Sequence, residues 1–408
     1  MTDVLDVRLG EVSVGKLTLL TGDRSYFAFE EAYLNDPQRP VLSQSFIAAS
    51  GDLISESRPV QTKLPPFFSN LLPEGHLRDY LAARGGIKTV REFRLIELLG
   101  GDLPGAVRLL PVEGGMALPE VEAAEEMVDA SEQPYRFSLA GVQLKFSALA
   151  EARGGLTIPA SGVGGNWIIK LPAQNFHQVP ENEWAMLQWA GEIGIPTPQA
   201  HLVALDKVAG LPDLGILPGN TALAIKRFDR IEQRRIHIED FAQVYNLFPE
   251  NKYGGVSSAN MASMVWTLTG GQGLVDFIRR LVFTLVIGNG DMHLKNWSLI
   301  YPDGRSAQLA PAYDFVSTIP YIPNDRLALS LSGEKNMSKI TLEHFKQLAT
   351  KAGLPEFLVL STVKETLDQA LQVWRDKKIE FALPDAIQQR LEKHLGNLKL
   401  LEKPALNR

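Results

Sequence analysis

The residues best equipped for chemistry sit between positions 291 and 314. Asp291, His293, Lys295 and Asn296 fall in one short stretch, directly after an apolar run (281–287) that ends at Gly288 and Gly290. A strand-like run (297–301), the turn Pro302-Asp303-Gly304 and a second strand then lead to another acid, Asp314. Together these types suit phosphoryl transfer. One carboxylate, Asp291, can take the proton of an attacking hydroxyl, while the amide oxygen of Asn296 and the carboxylate of Asp314 can hold Mg2+ against the phosphates of ATP. Taken singly, each is also an ordinary turn or cap residue. The ordered set of helix, Asp, Asn, hairpin and Asp carries the reading.

The spacing from Asp291 to Asn296, D-x-x-x-x-N, is that of a protein-kinase catalytic loop, and Asp314 arrives where such a fold places its metal-binding acid. Such a site needs a fixed cation for the α- and β-phosphates. Lys170 closes the apolar strand-like run Trp167-Ile168-Ile169 and can supply it, although an edge-strand lysine facing solvent has the same pattern. Glu183, early in the next helix, could pair with Lys170 or could assist the helix N-terminus. The small-residue loop from Ser138 through Ala140, Gly141, Val142 and Gln143 to Lys145 would let backbone N–H groups approach a polyphosphate. It is neither a Walker A motif nor a G-x-G-x-x-G. Lys226-Arg227-Phe228 could read the adenine edge through backbone groups, with Phe228 adding apolar surface; a basic turn is the plainer alternative. Lys295 lies four after Asp291, not two, so it takes no phosphate-stabilising role from the general kinase template.

The elements that must position these residues follow an α+β order. Strand-like runs at 4–9, 12–20 and 26–29 precede an amphipathic helix pair near 66–83 and 89–99 and a strand at 107–110, giving an N-terminal α+β subdomain over 1–112. Residues 113–134 are acidic and aperiodic and read as a linker. A small antiparallel sheet with one helix (182–192) follows over 135–238. A mostly helical part over 239–408 has segments near 240–245, 257–268, 273–287, 342–352, 355–374 and 384–403, with a loop and a short strand expected over 321–339. Sheet first and helices second is the order of a two-lobed protein-kinase-like fold.

Composition excludes several alternatives. At 408 residues, 45% apolar and 22% charged, the chain can build two or three cored domains of a soluble protein. It has no cysteine, which removes disulfides, thiolate metal sites and cysteine nucleophiles and suits a cytoplasmic location. The acidic, alternating N-terminus is no signal peptide, and no apolar run is long enough for a bilayer. A net charge of −6 argues against the chain binding nucleic acid by its overall field.

As a set, several segments resemble the HipA family, serine/threonine protein kinase toxins of type II toxin–antitoxin systems, along essentially the whole chain. They are Phe67-Phe68-Ser69-Asn70-Leu71-Leu72-Pro73-Glu74-Gly75, Asp102 to Val107, Ser138 to Lys145, Ile169-Lys170-Leu171-Pro172 and Asn182-Glu183. Arg227-Phe228-Asp229-Arg230, Glu239-Asp240, Asp291 to Asn296 and Tyr313-Asp314 complete the set. The resemblance implies Asp291 as catalytic base, Asn296 and Asp314 as magnesium ligands, and Lys170 as the phosphate anchor. It also implies a nucleotide loop over Ala140 to Lys145, an adenine-reading hinge at Lys226 to Phe228, and His293 near the nucleotide. Ser138 matches the serine that family members autophosphorylate, and a phosphate there would repel ATP and eject the loop, switching the kinase off. One departure is Lys226, where some relatives carry an acid. The implied partners are a HipB-like helix-turn-helix antitoxin, operator DNA reached mainly through it, and a protein substrate such as an aminoacyl-tRNA synthetase, with no membrane. A small-molecule or lipid kinase, and a degenerate kinase that only co-represses with an antitoxin, are the alternative readings.

Overall fold

The structure, a computed structural model, describes residues 3–55, 58–112, 145–150, 156–158, 165–211, 217–232 and 234–402. The expected linker at 113–134 and the loop residues Ser138, Ala140, Gly141, Val142 and Gln143 lie outside the described residues. The chain forms two compact units. One gathers the described residues up to 112 with Asp229–Glu250 and Ile300–Arg305; the other gathers Lys145–Phe228, Asn251–Leu299 and the described residues from 306 onward.

The first unit is built on a five-stranded sheet in the order β4-β3-β2-β1-β5. Strands β1 (Val4–Leu9), β2 (Val12–Leu20) and β3 (Arg24–Phe29) form an antiparallel meander, completed by β4 (Val60–Gln61) and β5 (Val107–Pro111). Alternation sends Leu5, Val7, Leu9, Leu17 and Phe27 inward, where they meet Phe67 and Phe68. Besides the short helix α1 (Glu31–Asn35), the helices are α2 (Pro66–Ser69), α3 (Gly75–Arg84) and α4 (Glu92–Leu99). The single helix expected over 66–83 is therefore two. Pro73 has no N–H to continue the first and disfavours a helical residue before it, while Asn70 Nδ2 donates to Pro66 O at 2.8 Å and Leu247 O at 2.7 Å.

Two of the family-like segments meet in this unit and have a structural job. Arg230 donates to Gly105 O at 2.8 Å, Leu103 O at 2.9 Å and Asp102 Oδ1 at 3.0 Å, and the Gly105 amide donates to Asp229 Oδ2 at 2.8 Å. Nearby, Asp240 caps the short helix Phe241–Val244 through a reciprocal bond pair with Gln243. Glu239 does not cap. It is fully buried, accepting from Ser43 Oγ at 2.5 Å, Tyr301 Oη at 2.5 Å and Gln44 N at 3.1 Å. Burial pushes its carboxyl up to about 7, against those three donors.

The second unit carries a six-stranded sheet, β10-β7-β6-β8-β11-β9. Its strands are β6 (Lys145–Ala150), β7 (Leu156–Thr157), β8 (Trp167–Lys170), β9 (Ala200–Ala204), β10 (Val208–Ala209) and β11 (Thr221–Lys226). Pairing is antiparallel except for the two-residue β10–β7 contact. Helix α5 (Val179–Glu192) buries Ala185, Met186, Leu187, Trp189 and Ala190. Trp189 stacks on Trp374 at 4.6 Å and donates to Ala370 O at 3.1 Å.

The site is reached through the helix Ser258–Ile287, which Ser257 and Asn260 cap reciprocally. Gly270 interrupts it with non-helical angles, so the two helices expected at 257–268 and 273–287 meet end to end. Its last seven residues are all buried, each worth about 1.5–3 kcal/mol for the large apolar ones, and this anchors the point where the chain turns. The turn is Gly288, at φ 64; a Cβ there would lie 2.8 Å from Ile319. The C-terminal helices are Leu342–Ala352, Glu356–Lys377 and Asp385–Asn397. Between 321 and 339 there is no strand, only the isolated bridge Leu331–Glu334.

Candidate active site

Lys170 ends β8, 8% exposed, with its ammonium turned inward. Nζ donates to Glu183 Oε1 on α5 at 2.5 Å and to Asp314 Oδ1. Glu183 is 0% exposed, and burial pushes its carboxyl up despite the charges of Lys170 and Lys145. The same burial would lower the Lys170 pKa, but the two carboxylates outweigh it and raise the value above the ordinary lysine range. Burial would raise Asp314 too; the Lys170 ammonium, helped by Lys145 and His293, instead holds it at about 2. One cation thus serves two acids. Lys145, first residue of β6, lies directly across the strand pair from Lys170.

Asn182, also fully buried, fixes the helix that brings Glu183. Its amide grips the backbone of Ser317, donating to the carbonyl at 2.9 Å and accepting from N–H at 3.1 Å. The segment that carries Asp314 is held from three further sides. Arg280 Nη1 donates to Ala310 O at 2.6 Å, the Ala312 amide to Pro196 O at 2.7 Å, and the Tyr313 hydroxyl to Lys295 O at 3.0 Å. That hydroxyl also shares a 2.5 Å bond with Ser298 Oγ, and its ring lies 5.8 Å from Phe228. Asp314 itself sits at φ 55, the left-handed region, which costs a side-chain-bearing residue roughly 1–2 kcal/mol.

The residue that holds this strained backbone was not singled out from sequence. Asn289 is 1% exposed; its Nδ2 donates to Asp314 O at 3.1 Å while its Oδ1 accepts from Asp291 N at 2.9 Å. One amide therefore joins the backbone of both acids. Its only outward signal was a polar side chain between two glycines at the end of an apolar helix. At the second of those glycines, Gly290, a Cβ would fall 2.1 Å from the Asp325 carboxylate.

From Asp291 the chain folds on itself. The Asn296 side-chain amide donates to Asp291 O at 2.9 Å and its backbone N–H to His293 O at 2.9 Å. The carbonyl end of the Asn296 side chain remains as a hard oxygen donor. His293 is buried beside Tyr253, rings edge to face at 5.0 Å, and Tyr253 donates its hydroxyl to Asp291 Oδ1 at 2.6 Å.

A carboxylate oxygen from Asp314 and an amide oxygen from Asn296 fit magnesium, a hard ion that takes oxygen ligands and completes its octahedron with water and phosphate. Among the described residues no group of three His, Cys, Asp or Glu could hold a metal by itself. At the end of β11, the Lys226 amide donates to Gln199 O and the Arg227 amide to Asn166 O, both at 2.8 Å. An adenine read here therefore has to use other backbone groups. Arg227 Nη1 lies 3.4 Å from Ser147 Oγ.

Among the described residues no helix is long and apolar enough to cross a membrane. Residues 5–110 match the pattern described as the HipA N-terminal domain, and residues 137–374 the HipA-like C-terminal domain. The chain is similar to the Y4dM protein of Sinorhizobium fredii, 49% identical over 401 residues and 97% of each chain. It is 26% identical to the serine/threonine-protein kinase toxin HipA of Shewanella oneidensis, covering 89% of this chain and 86% of that one. Among solved structures, it superposes with a TM-score of 0.76 on a chain from the Shewanella oneidensis complex of HipA, HipB and operator DNA. The identity there is 21%, over 97% of this chain and 96% of that one. That likeness is one of fold, and the kinase-like α+β fold expected from the sequence is the one the two share. With more than half its length matching one family pattern and a near full-length relative at 49% identity, the chain belongs to the HipA family.

Proposed function

We propose that this chain is an ATP- and magnesium-dependent serine/threonine protein kinase toxin. The observation that carries the reading is the Lys170 ammonium between Glu183 and Asp314, with Asn289 tying Asp314 to the Asp291 loop. The name of the Shewanella oneidensis relative, a serine/threonine-protein kinase toxin, supports it. Asp291 accepts the proton of the substrate hydroxyl as its oxygen bonds to the γ-phosphorus and the bond to the departing ADP oxygen breaks. Lys170, held by Glu183 and Asp314, has one N–H left to give to nucleotide phosphate, and Lys145 adds positive charge beside it. Asn296 and Asp314 would hold magnesium, which would neutralise charge on the phosphates. The resemblance assigns nucleotide binding to His293, to the loop Ala140–Lys145 for the phosphates and to 226–228 for the base.

The rest of the reading follows the family. The substrate is a protein of the translation machinery, of which an aminoacyl-tRNA synthetase is the family's example, and its phosphorylation arrests growth. A HipB-like antitoxin neutralises the toxin in the cytoplasm, and operator DNA is touched mainly by that partner because this chain carries a net charge of −6. Phosphate on Ser138 switches the kinase off. We divide the chain into a subdomain at 1–112, a linker at 113–134 and lobes at 135–238 and 239–408. Inducing the chain in growing cells should stop growth and raise specific phosphoserines in the phosphoproteome; co-expressed antitoxin should prevent both. Phosphate on Ser138 should disappear in Ser138→Ala. Growth arrest with an unchanged phosphoproteome would refute the protein-kinase reading and favour a small-molecule substrate.

A further inference from the structure

Tyr253 belongs to no segment that the functional reading uses, yet three contacts join its neighbourhood to the Asp291 loop. Its hydroxyl donates to Asp291 Oδ1 at 2.6 Å. Its ring meets buried His293 edge to face at 5.0 Å. One residue earlier, the Lys252 carbonyl accepts the Leu294 amide at 3.1 Å, so the two backbones are stitched side by side. The ammonium of Lys252 lies 5.5 Å from the centre of the Tyr253 ring, and Lys252 is itself buried. A phenol held by its backbone, its ring face and its ring edge has little freedom to leave the carboxylate.

We propose that Tyr253 is the positioning residue for Asp291. It fixes the carboxylate's rotation through Oδ1, so that Oδ2 meets the acceptor hydroxyl and takes its proton. A carboxylate free to rotate would spend most of its time misaligned, and effective alignment is where such a group gains its rate. The assignment rests on Asp291 being the base.

The test uses the full chain, dephosphorylated, with ATP and magnesium, following phosphate incorporation into the chain by intact mass at a range of ATP concentrations. Tyr253→Phe removes one oxygen and keeps the ring against His293. Its maximal rate should fall by about ten- to a hundred-fold, with half-saturating ATP unchanged. A maximal rate equal to or above that of the parent overturns the assignment, and so does an unchanged maximal rate with a raised half-saturating ATP concentration. Asp291→Asn separates the two levels. If it keeps the parental rate, the base reading fails and the clamp with it. If it is silent while Tyr253→Phe matches the parent, only the clamp fails. Should the Phe variant not fold, Tyr253→His, which retains a ring N–H, must transfer faster than Tyr253→Leu; equal rates overturn the assignment.

Discussion

Replacing Lys170 by Met tests the arrangement at its most strained point. The substitution keeps the apolar stem and deletes the ammonium from between Glu183, 0% exposed, and Asp314, whose side chain is 20% exposed. Removing one partner of a buried ion pair typically costs about 3–5 kcal/mol, because the other charge is left uncompensated. Here two carboxylates are left. The effect depends on pH in a defined direction. Asp314, held at about 2 against an ordinary 3.8, contributes stability above pH 4 that is lost as pH falls towards 2. Lys170, raised, keeps its contribution until pH passes beyond the ordinary lysine range. Glu183, pushed up by burial, subtracts stability as pH rises above its ordinary 4.5. Without the ammonium both acids titrate upward, so the deficit of Lys170→Met should be about 3–5 kcal/mol at pH 7.5 and shrink towards pH 4. Glu183→Gln added to Lys170→Met should recover about half of it while phosphoryl transfer stays absent. Denaturant unfolding of the parent, both single variants and the double variant reads the cycle. A Lys170→Met chain within about 1 kcal/mol of the parent at pH 7.5, or one less stable than the parent by the same amount at pH 4, would refute the reasoning.

Two further substitutions probe other joints. Asn289→Asp keeps the acceptor for the Asp291 amide but loses the donor to Asp314 O; single-turnover transfer should slow by about ten- to a hundred-fold with nucleotide still bound, as the φ 55 backbone of Asp314 loses its tether. Glu239, pushed up to about 7, binds its proton more tightly folded than unfolded, so parental stability should decline as pH rises from about 4.5 to 7. Glu239→Gln should remove that decline, gaining about 2–4 kcal/mol on the parent between pH 5 and 8 in denaturant unfolding; identical slopes would contradict the burial argument.

Much of the fold was legible because its elements obey local rules. Strands β1 and β2 and the helix Leu342–Ala352 have the bounds that alternation and helical periodicity give. The break at Pro73 is also a local rule, overlooked because apolar residues continue across it. What periodicity could not supply is contact across distance. Whether Lys170 faces solvent or Glu183 depends on how α5 lies on the sheet, and Tyr253 is 38 residues from Asp291 with no pattern linking them. No pattern marks Asn289 or Asn182 as a clamp either, since a buried amide that holds two backbones has the same letter as one that ends a helix. The spacing of Asp291, Asn296 and Asp314 stood out because it repeats a chemical requirement and not a packing one.

The most direct measurement is the transfer of γ-phosphate by the purified chain, with intact mass and phosphosite mapping after incubation with ATP and magnesium. The account predicts a gain of one phosphate mass on a serine of the parental chain, and none in Asp291→Asn or Asp314→Asn chains that still fold. Equal incorporation in the parent and in Asp291→Asn, or none in a folded, initially unphosphorylated parent, would contradict it.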